Sequence, residues 1–303
     1  MSKLTTWLAC GLVVLAVVAA GVALDRLLGT TVLFTLAGCA LGALYLVGTF
    51  WANAPLFGPV ARVRAEPGWF ALTFDDGPDP RFTAMMSGLL AERGHRATFF
   101  VLGAHATQHP ELLGQIVGDG HELANHGFDH GLLAFSPPGT VRAQLLATEE
   151  AIVAATGLRP APLFRAPHGV RSPWLRRVVG SLGYRVCGWT GHIFDTAKPG
   201  TPAIVERACR HLRAGAILLM HDADGSGHGD DRSQTLEALP AVLDEAERRG
   251  LRSAWLSSLL DPSPLPVLDL DRLNSPARGG GLLQAGDGEP LVGEKEQAQA
   301  HSD

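Results

Sequence analysis

The chain has 303 residues, 46% of them hydrophobic, and a formal net charge of −5. This length suits one sizeable domain with additional segments. The mild charge and the lack of any basic block or nucleic-acid motif argue against nucleic-acid binding. The four cysteines include no CxxC pair, which argues against a zinc ribbon or a thioredoxin-like site. Cys187 and Cys209 would form a disulfide only if the fold brought them together, and two buried thiols are the simpler expectation.

Residues 1–61 are predicted to form a membrane anchor. No charged residue occurs between Lys3 and Asp25, a run of about 21 residues that matches a bilayer span. The chain is then uncharged again over about 35 residues, in which Thr31 to Phe50 forms a second span. We therefore expect two transmembrane helices and a two-pass protein of the cell membrane. A cleaved signal peptide is the alternative for the first segment.

The side of the membrane on which the rest of the chain lies is open. A helical hairpin returns the chain to the side where it began. Lys3 on one flank and Arg62 with Arg64 on the other favour cytoplasmic ends. Arg26, in the short connection, argues weakly against that topology.

Residues 62–260 alternate short β-rich runs with amphipathic helical patterns. The β-rich runs are Trp69 to Phe74, Ala97 to Leu102, His121 to Ala124, Leu163 to Arg165, Arg185 to Trp189, Ala216 to Met220 and Arg252 to Leu256. The helical patterns are Phe82 to Arg93, Pro110 to Val117, Thr140 to Thr156, Pro173 to Leu182, Thr201 to Arg213 and Gln234 to Arg249. This alternation predicts an α/β fold with a parallel sheet, either an open doubly wound sheet or a closed barrel.

Polar side chains follow the predicted strands, where each strand ends. They are Asp75 and Asp76 after the first run, His126 and His130 after the third, Arg165 at the end of the fourth, Asp195 beyond the fifth and His221 after the sixth. In a parallel sheet or barrel, chemistry lies at the carboxyl ends of the strands. We therefore expect all of these side chains on one edge of the sheet.

The histidines His126 and His130 have the spacing of metal ligands. On one helical turn they would share a face and could bind one cation, although two surface histidines are the alternative. Asp75 and Asp76 strengthen the metal interpretation. Successive side chains of a strand alternate, so one carboxylate would bind the metal and the other would face the substrate water. An acidic turn before Gly77 is the alternative for this pair.

Arg165 and His221 are expected to act through carboxylates. An arginine at the end of an apolar run is usually paired, so Arg165 would hold a catalytic aspartate ionised and oriented. His221 could be a satisfied core residue. As a general acid it would need a neighbouring carboxylate to stay protonated, and Asp195 is the candidate.

A glycine-rich loop after His221 carries a further group of titratable residues. They are Asp222, Asp224, His228, Asp230 and Asp231. A second metal site is one interpretation. A solvated loop beside the active site is favoured, because the spacing of these residues does not match an EF-hand.

The five groups of polar residues at the ends of the predicted strands, in this order, resemble the motifs of the NodB-homology polysaccharide deacetylases, carbohydrate esterase family 4. The resemblance covers Trp69 to Leu260. It implies a NodB-like, distorted (β/α) barrel of about seven strands. It also implies one divalent metal ion, zinc first and cobalt, nickel or manganese as alternatives. The implied reaction is hydrolysis of an N-acetyl group, or of an O-acetyl or N-formyl group, from a sugar.

The resemblance also implies a role for each motif residue. Asp75 would be the catalytic base, and Asp76, His126 and His130 would bind the metal. Arg165 would orient Asp75.

Asp195 would tune His221, the general acid. The backbone N–H of His168 would help to stabilise the oxyanion. Leu219 would line the pocket for the acyl methyl group, and Trp189 would contact the substrate.

Three positions depart from the motifs of the family. Gly127 stands where the family usually has Ser or Thr, and His168 stands where Tyr or Phe is common. Asp195 is followed by Thr196 where many members have tryptophan. The missing indole would widen or alter the acyl pocket, which bears on the acyl group more than on the reaction type.

The expected partners are the membrane and an acetylated substrate: a polysaccharide, peptidoglycan or a lipid-linked sugar. A catalytically silent glycan-binding module on the same fold is the alternative. A metal-dependent phosphoesterase is weaker, because a two-metal site would be expected to have more carboxylate ligands. Residues 261–303 are rich in Pro and Gly and are predicted to be a disordered tail.

Overall fold

A computed structural model describes residues 15–24, 26, 30–50, 53, 55–57, 60–61, 63–64, 66–225 and 229–260. Three sequence predictions therefore fall wholly or partly outside the described residues. They are the tail over 261–303, His228 of the acidic loop, and residues 1–14 of the first predicted membrane span.

The described part of the chain contains a parallel sheet and surrounding helices. The strands are β1 (Trp69–Asp75), β2 (Ala97–Val101), β3 (Glu122–Asn125), β4 (Leu163–Phe164), β5 (Arg185–Val186), β6 (Gly191–His192), β7 (Ile217–His221) and β8 (Arg252–Ala254). The helices are α1 (Thr30–Phe50), α2 (Thr83–Glu92), α3 (Gly103–Gln108), α4 (Pro110–Gly118), α5 (Pro138–Thr156), α6 (Pro173–Ser181), α7 (Thr201–His211), α8 (Ser233–Arg248) and α9 (Leu256–Leu259).

The sheet runs in the order β5-β4-β3-β2-β1-β7-β6, and β8 pairs with the start of β1. Every pair of strands is parallel. The predicted parallel α/β fold is confirmed. Between the described strands β5 and β6 no pairing closes the ring, so the sheet is an open, distorted barrel. The prediction of about seven strands missed β6, because two residues are too few to carry a recognisable alternation.

Strand β1 lies at the centre of the sheet and is buried on both faces. Phe70, Leu72 and Phe74 have no exposed surface, and the Phe74 ring stacks on that of Phe99 at 5.0 Å. One face packs against the surrounding helices, and on the other face Ala71 packs against residues of the neighbouring strands and of α9 inside the barrel. The longest of the covering helices, α5, ends at Gly157 with a left-handed φ of 70°, the usual stop for a helix. The apolar burial of β1 fixes where Asp75, its last residue, emerges from the sheet.

Helix α1 contains no charged residue over its 21 positions. Its side chains are described from Phe34 onward. In the part of the chain that the structure describes, no helix is long and apolar enough to cross a membrane. The two transmembrane helices stay a prediction.

Cys187 and Cys209 are free thiols, as expected. Cys187 is buried and Cys209 is half-buried, and neither forms a disulfide within the described residues. Burial raises the pKa of the Cys187 thiol to about 12. That thiol therefore stays protonated and is a poor nucleophile at neutral pH.

Candidate active site

The polar residues predicted at the strand ends surround one cavity of about 430 Å³. Eight predicted residues line it: Asp75, Asp76, His126, His130, His168, Trp189, Leu219 and His221. The other two, Arg165 and Asp195, lie behind the wall and contact residues that line it. The structure therefore brings together residues that are up to 146 positions apart in the chain, counting from Asp75 to His221.

Asp76, His126 and His130 converge on one point. The Nε2 atoms of His126 and His130 lie 3.3 and 3.1 Å from Asp76 Oδ1. Among the described residues, that buried oxygen accepts no hydrogen bond of normal geometry. Burial would raise the pKa of Asp76, but its contacts with the two histidines outweigh burial and hold it well below its usual range. The side chain is therefore an ionised carboxylate at neutral pH.

This group fits a divalent metal ion. Two imidazole nitrogens and a carboxylate oxygen are a common ligand set for zinc, and other divalent transition metals accept it. The three ligand atoms lie within 4.8 Å of one another. His126 Nδ1 lies 2.9 Å from the carbonyl oxygen of Arg165, which fixes the imidazole and directs Nε2 toward the cavity. The unpartnered buried oxygen of Asp76, facing two imidazoles, therefore fits a divalent cation.

The two histidines meet through a loop and not through a helical turn, so that part of the prediction is wrong. His126 directly follows β3, and residues 126–130 form no helix. Gly127 and His130 have left-handed φ values of 85° and 60°. A Cβ at Gly127 would also lie only 3.2 Å from Leu133 Cδ1. Glycine suits this turn better than Ser or Thr, which accounts for the departure from the family motif.

Asp75 is held by a buried arginine. Arg165 Nη1 donates to Asp75 Oδ1 at 2.7 Å and to Thr73 Oγ1 at 2.9 Å, while Nη2 donates to the carbonyl of Gly188 at 3.0 Å. The guanidinium also lies 4.2 Å from the centre of the Phe100 ring. Arg165 has no exposed surface. These contacts fix the orientation of the Asp75 carboxylate.

The expected alternation of the two aspartates is wrong. Asp75 Oδ2 lies 3.8 Å from His126 Nε2, so both carboxylates face the same histidine and the same cavity. The reason is that the strand ends at Asp75 and Asp76 turns back with a left-handed φ of 77°. The carboxylates differ instead in their partners, since Asp75 binds Arg165 and Asp76 faces the histidines.

His221 lines the cavity, and Asp195 lies behind it. Asp195 accepts from His221 through both oxygens, with Oδ1 2.8 Å from His221 Nδ1 and Oδ2 2.8 Å from its backbone N–H. Thr235 Oγ1 donates to Asp195 Oδ2 at 3.1 Å. Burial would lower the pKa of His221, but the carboxylate of Asp195, helped by Asp76 and Asp75, outweighs it and raises the pKa to about 9. The imidazole is therefore a cation at neutral pH whose Nε2 proton is available.

The remaining predicted residues complete the wall. His168 is exposed, has a left-handed φ of 57°, and packs its ring 4.2 Å from that of His130. Leu219 of β7 is buried and lies in register with His192 of β6. Trp189 lies at the start of the segment that leads to Asp195 and lines the cavity.

Sequence reasoning missed several residues of the cavity wall. They are Gly169, His192, Gly225 and Arg232, with Asp224 and Asp230 placed only in the acidic loop. His192 lies three positions before Asp195, so a search around that residue would have found it. Gly225 and Arg232 come from a loop with no periodic pattern, and no signal in the sequence marks them.

The acidic loop does not form a second ligand cluster within the described residues, where the single candidate group is that of Asp76. Asp230 forms an ion pair with Lys198 at 2.7 Å, and Asp231 accepts from Ser233 at the start of α8. The expectation of a solvated loop is wrong for Asp222, which is fully buried. Its carboxylate accepts a hydrogen bond from Thr83 Oγ1 at 2.5 Å. Burial raises its pKa to about 7.

Comparison with known proteins identifies the family. Residues 62–187 match the polysaccharide deacetylase domain. A peptidoglycan-N-acetylglucosamine deacetylase of Bacillus cereus is 33% identical over 192 residues, which are 63% of this chain and 87% of that protein. The chain belongs to the polysaccharide deacetylases of carbohydrate esterase family 4. The resemblance seen in the motifs is thereby confirmed.

Other members of the family are similar in sequence and in structure. A chitooligosaccharide deacetylase of Sinorhizobium fredii is 36% identical over 184 residues, 59% of this chain and 86% of that protein. A family 4 carbohydrate esterase of Streptomyces lividans, solved in complex with acetate, superposes with a TM-score of 0.57 at 30% identity. That superposition covers 65% of this polysaccharide deacetylase and 98% of the Streptomyces chain. The residues that match the family domain include Asp75, Asp76, His126, His130 and His168 of the cavity wall.

Proposed function

We propose that this polysaccharide deacetylase is a metal-dependent hydrolase that removes the N-acetyl group from an amino sugar within a glycan. One observation carries the proposal. A candidate metal site, an arginine-bound carboxylate and a carboxylate-bound imidazolium face the same cavity. In that order, they would supply the electrophile, the base and the acid that amide hydrolysis needs.

Asp76, His126 and His130 would hold the metal. A divalent ion there would polarise the amide carbonyl and lower the pKa of a bound water. Zinc is the first candidate because two imidazoles and one carboxylate suit it, and cobalt, nickel and manganese are alternatives.

Asp75 is the proposed general base. Its carboxylate accepts a proton from the attacking water, and Arg165 orients it through the contact at 2.7 Å. Because Asp75 lies against His126, the proton acceptor is within reach of a water held beside the histidines. Asn at this position could still hydrogen-bond a water but could not accept its proton.

Two further groups of the cavity would stabilise the oxyanion and protonate the leaving group. The backbone N–H of His168 would donate to the oxygen of the tetrahedral intermediate. The His221 imidazolium would give its Nε2 proton to the departing amine, which is otherwise a very poor leaving group. Asp195 keeps His221 protonated through the bond at 2.8 Å.

The substrate is proposed from the relatives and from the cavity. One relative acts on N-acetylglucosamine in peptidoglycan and another on chitooligosaccharides, by the names they carry. We infer an N-acetylated sugar of this type, with Leu219 against the acyl methyl group and Trp189 against the sugar. Thr196, in place of the indole found in many members, lines the cavity and leaves room for acyl groups other than acetyl, such as N-formyl.

The test is release of acetate. The purified full chain in detergent, loaded with zinc or cobalt, is incubated with N-acetylglucosamine oligomers, peptidoglycan fragments and a lipid-linked amino sugar. We expect acetate from at least one of them, and loss of acetate release on chelation. Binding of a glycan without turnover would favour the silent glycan-binding module. If the protein neither binds a glycan nor releases acetate, both functions are contradicted.

We further propose that residues 1–61 anchor the protein in the cell membrane with two spans. The support is the long uncharged sequence on both sides of Asp25 and Arg26. A catalytic domain on the cytoplasmic side would meet lipid-linked sugars, and one on the outer side would meet wall or exported polysaccharide. A reporter fused to the C-terminus distinguishes the two sides, and a fusion protein found entirely in the soluble fraction would contradict the anchor.

A further inference from the structure

Three aromatic rings stand in a row at one side of the cavity. The rings of Trp189 and His192 meet edge to face, with centroids 5.7 Å apart and an interplanar angle of 76°. The next ring, Phe194, stacks on His192 with centroids 3.7 Å apart and an angle of 30°. Trp189 and His192 line the cavity, and Phe194 continues the row beyond the lining residues.

The chain holds Phe194 outward at some conformational cost. Phe194 has a left-handed φ of 56°, which is unfavourable for a residue with a large side chain. Its neighbours Ile193 and Asp195 are buried, yet its own side chain is 53% exposed. Its backbone N–H donates to His192 Nδ1 at 3.1 Å, which locks the two residues together.

The surrounding structure fixes this arrangement. His192 is paired in the sheet with Leu219, and the carbonyl of Ile193 accepts from Arg207 of α7 at 3.2 Å. Asp195 is tied to His221. An exposed phenyl ring that contributes little to the core, on a segment anchored at both ends, is a preformed surface.

We infer that His192 and Phe194 form a stacking platform for the sugar ring that adjoins the one being deacetylated. Pyranose rings present a face of C–H groups, which packs on the electron-rich face of an aromatic ring. The platform continues the wall formed by Trp189, so a glycan whose reacting unit lies in the cavity would place its next ring there. This inference rests on the proposed function.

The platform also explains the altered motif beside Asp195. Many members of the family have tryptophan directly after this aspartate, where this chain has Thr196. Here the aromatic side chain comes directly before Asp195, as Phe194. The aromatic side chain therefore lies on the other flank of the same residue and outside the cavity, while the smaller Thr196 lines the cavity.

The experiment compares glycans of different length. Phe194→Ala should raise KM for the N-acetylglucosamine pentamer by about three- to tenfold, leave kcat within about twofold, and leave turnover of the monomer unchanged. Phe194→Trp should restore the KM for the pentamer. The control is Trp69→Ala, which removes an exposed aromatic side chain at the amino-terminal end of β1, away from the cavity.

Binding is measured independently of turnover. The probe is the fully deacetylated glucosamine pentamer, titrated against wild-type protein and Phe194→Ala by calorimetry. Weaker binding by Phe194→Ala supports the platform even if no acetate is released, in which case only the proposed function fails. Equal KM and equal pentamer affinity in Phe194→Ala and wild type, or no pentamer binding by the wild type, would overturn the platform.

Discussion

Two ion pairs in this molecule have nearly the same length and opposite surroundings. Arg165 and Asp75 meet at 2.7 Å at the end of β1, with side-chain exposures of 0% and 5%. Arg210 and Glu206 meet at 2.6 Å on the surface of α7, with exposures of 63% and 71%. Distance alone does not distinguish them, whereas exposure to water does.

The difference lies in what replaces water. Around Arg165 the hydration shell is replaced by Thr73, the carbonyl of Gly188 and the ring of Phe100, so the guanidinium has one position. Around Arg210, water competes with Glu206 and salt screens the pair. A buried pair with fixed geometry can orient a catalytic group. An exposed pair contributes little beyond local helix stability.

The largest effect is expected on catalytic activity, at Asp75, which is both a member of the buried pair and the proposed general base. Asp75→Asn keeps the shape of the side chain but removes the proton acceptor, so kcat/KM should fall by about a hundredfold to ten-thousandfold. Acetate release measures the activity, and elemental analysis measures bound zinc, which should be retained. Asp76→Asn is the matched control, because it should lose zinc. If Asp75→Asn loses zinc instead, the roles of the two aspartates are exchanged.

The second effect is on stability. Arg165→Met leaves the Asp75 carboxylate buried without its cation, so the free energy of unfolding should fall by about 3–5 kcal/mol. Urea denaturation of the metal-free protein measures it. In an Asp75→Asn background the same substitution should cost clearly less, since no buried charge is left unpaired. Equal losses in the two backgrounds would show that the pair itself contributes nothing.

Much of this site could be predicted from the sequence because chain order and the parallel-sheet rule carry spatial information. Asp75, Arg165 and His221 each follow an apolar run, and parallel strands bring such ends to one edge. That reasoning needs no knowledge of loops. It therefore predicted which residues lie together at the strand ends. Their partners were predicted from the chemistry of the side chains alone.

The rest depends on loop conformation, which the sequence does not reveal. The histidines meet because Gly127 and His130 adopt left-handed backbone, and not because a helix aligns them. Asp76 faces the cavity beside Asp75 for the same reason. Strand β6 has only two residues, and it forms by pairing with β7. In each case a tertiary contact selects a conformation that local sequence leaves undetermined.

The third effect is on pH dependence and concerns the other buried pair, His221 and Asp195. The pKa of His221 is raised to about 9 in the metal-free protein, above the usual 6.5. The raised pKa of His221 therefore contributes stability that is fully present below about pH 6.5 and is lost as the pH rises through about 9. NMR titration of the imidazole in the metal-free protein measures the pKa directly.

Removing the partner carboxylate should move this titration down. Asp195→Asn keeps the hydrogen bonds to His221 in part but removes the charge that favours the imidazolium. The pKa of His221 should fall, and the alkaline limb of kcat/KM in the metal-loaded enzyme should shift to lower pH. Thr235→Val, which removes only the hydroxyl bound to Asp195, is the control and should shift the limb much less. An unchanged limb in Asp195→Asn would show that another group sets it.

The smallest effect is expected at the exposed pair, and it completes the comparison. Glu206→Gln removes the charge that faces Arg210 but leaves both side chains solvated, so the free energy of unfolding should change by about 0.5 kcal/mol or less. Because the pair is already screened by water, raising the salt concentration should reduce even this difference. Urea denaturation at low and high salt measures both effects. A loss comparable with that of Arg165→Met would mean that a short distance between charges is itself stabilising here, and the distinction drawn between the two arginines would fail.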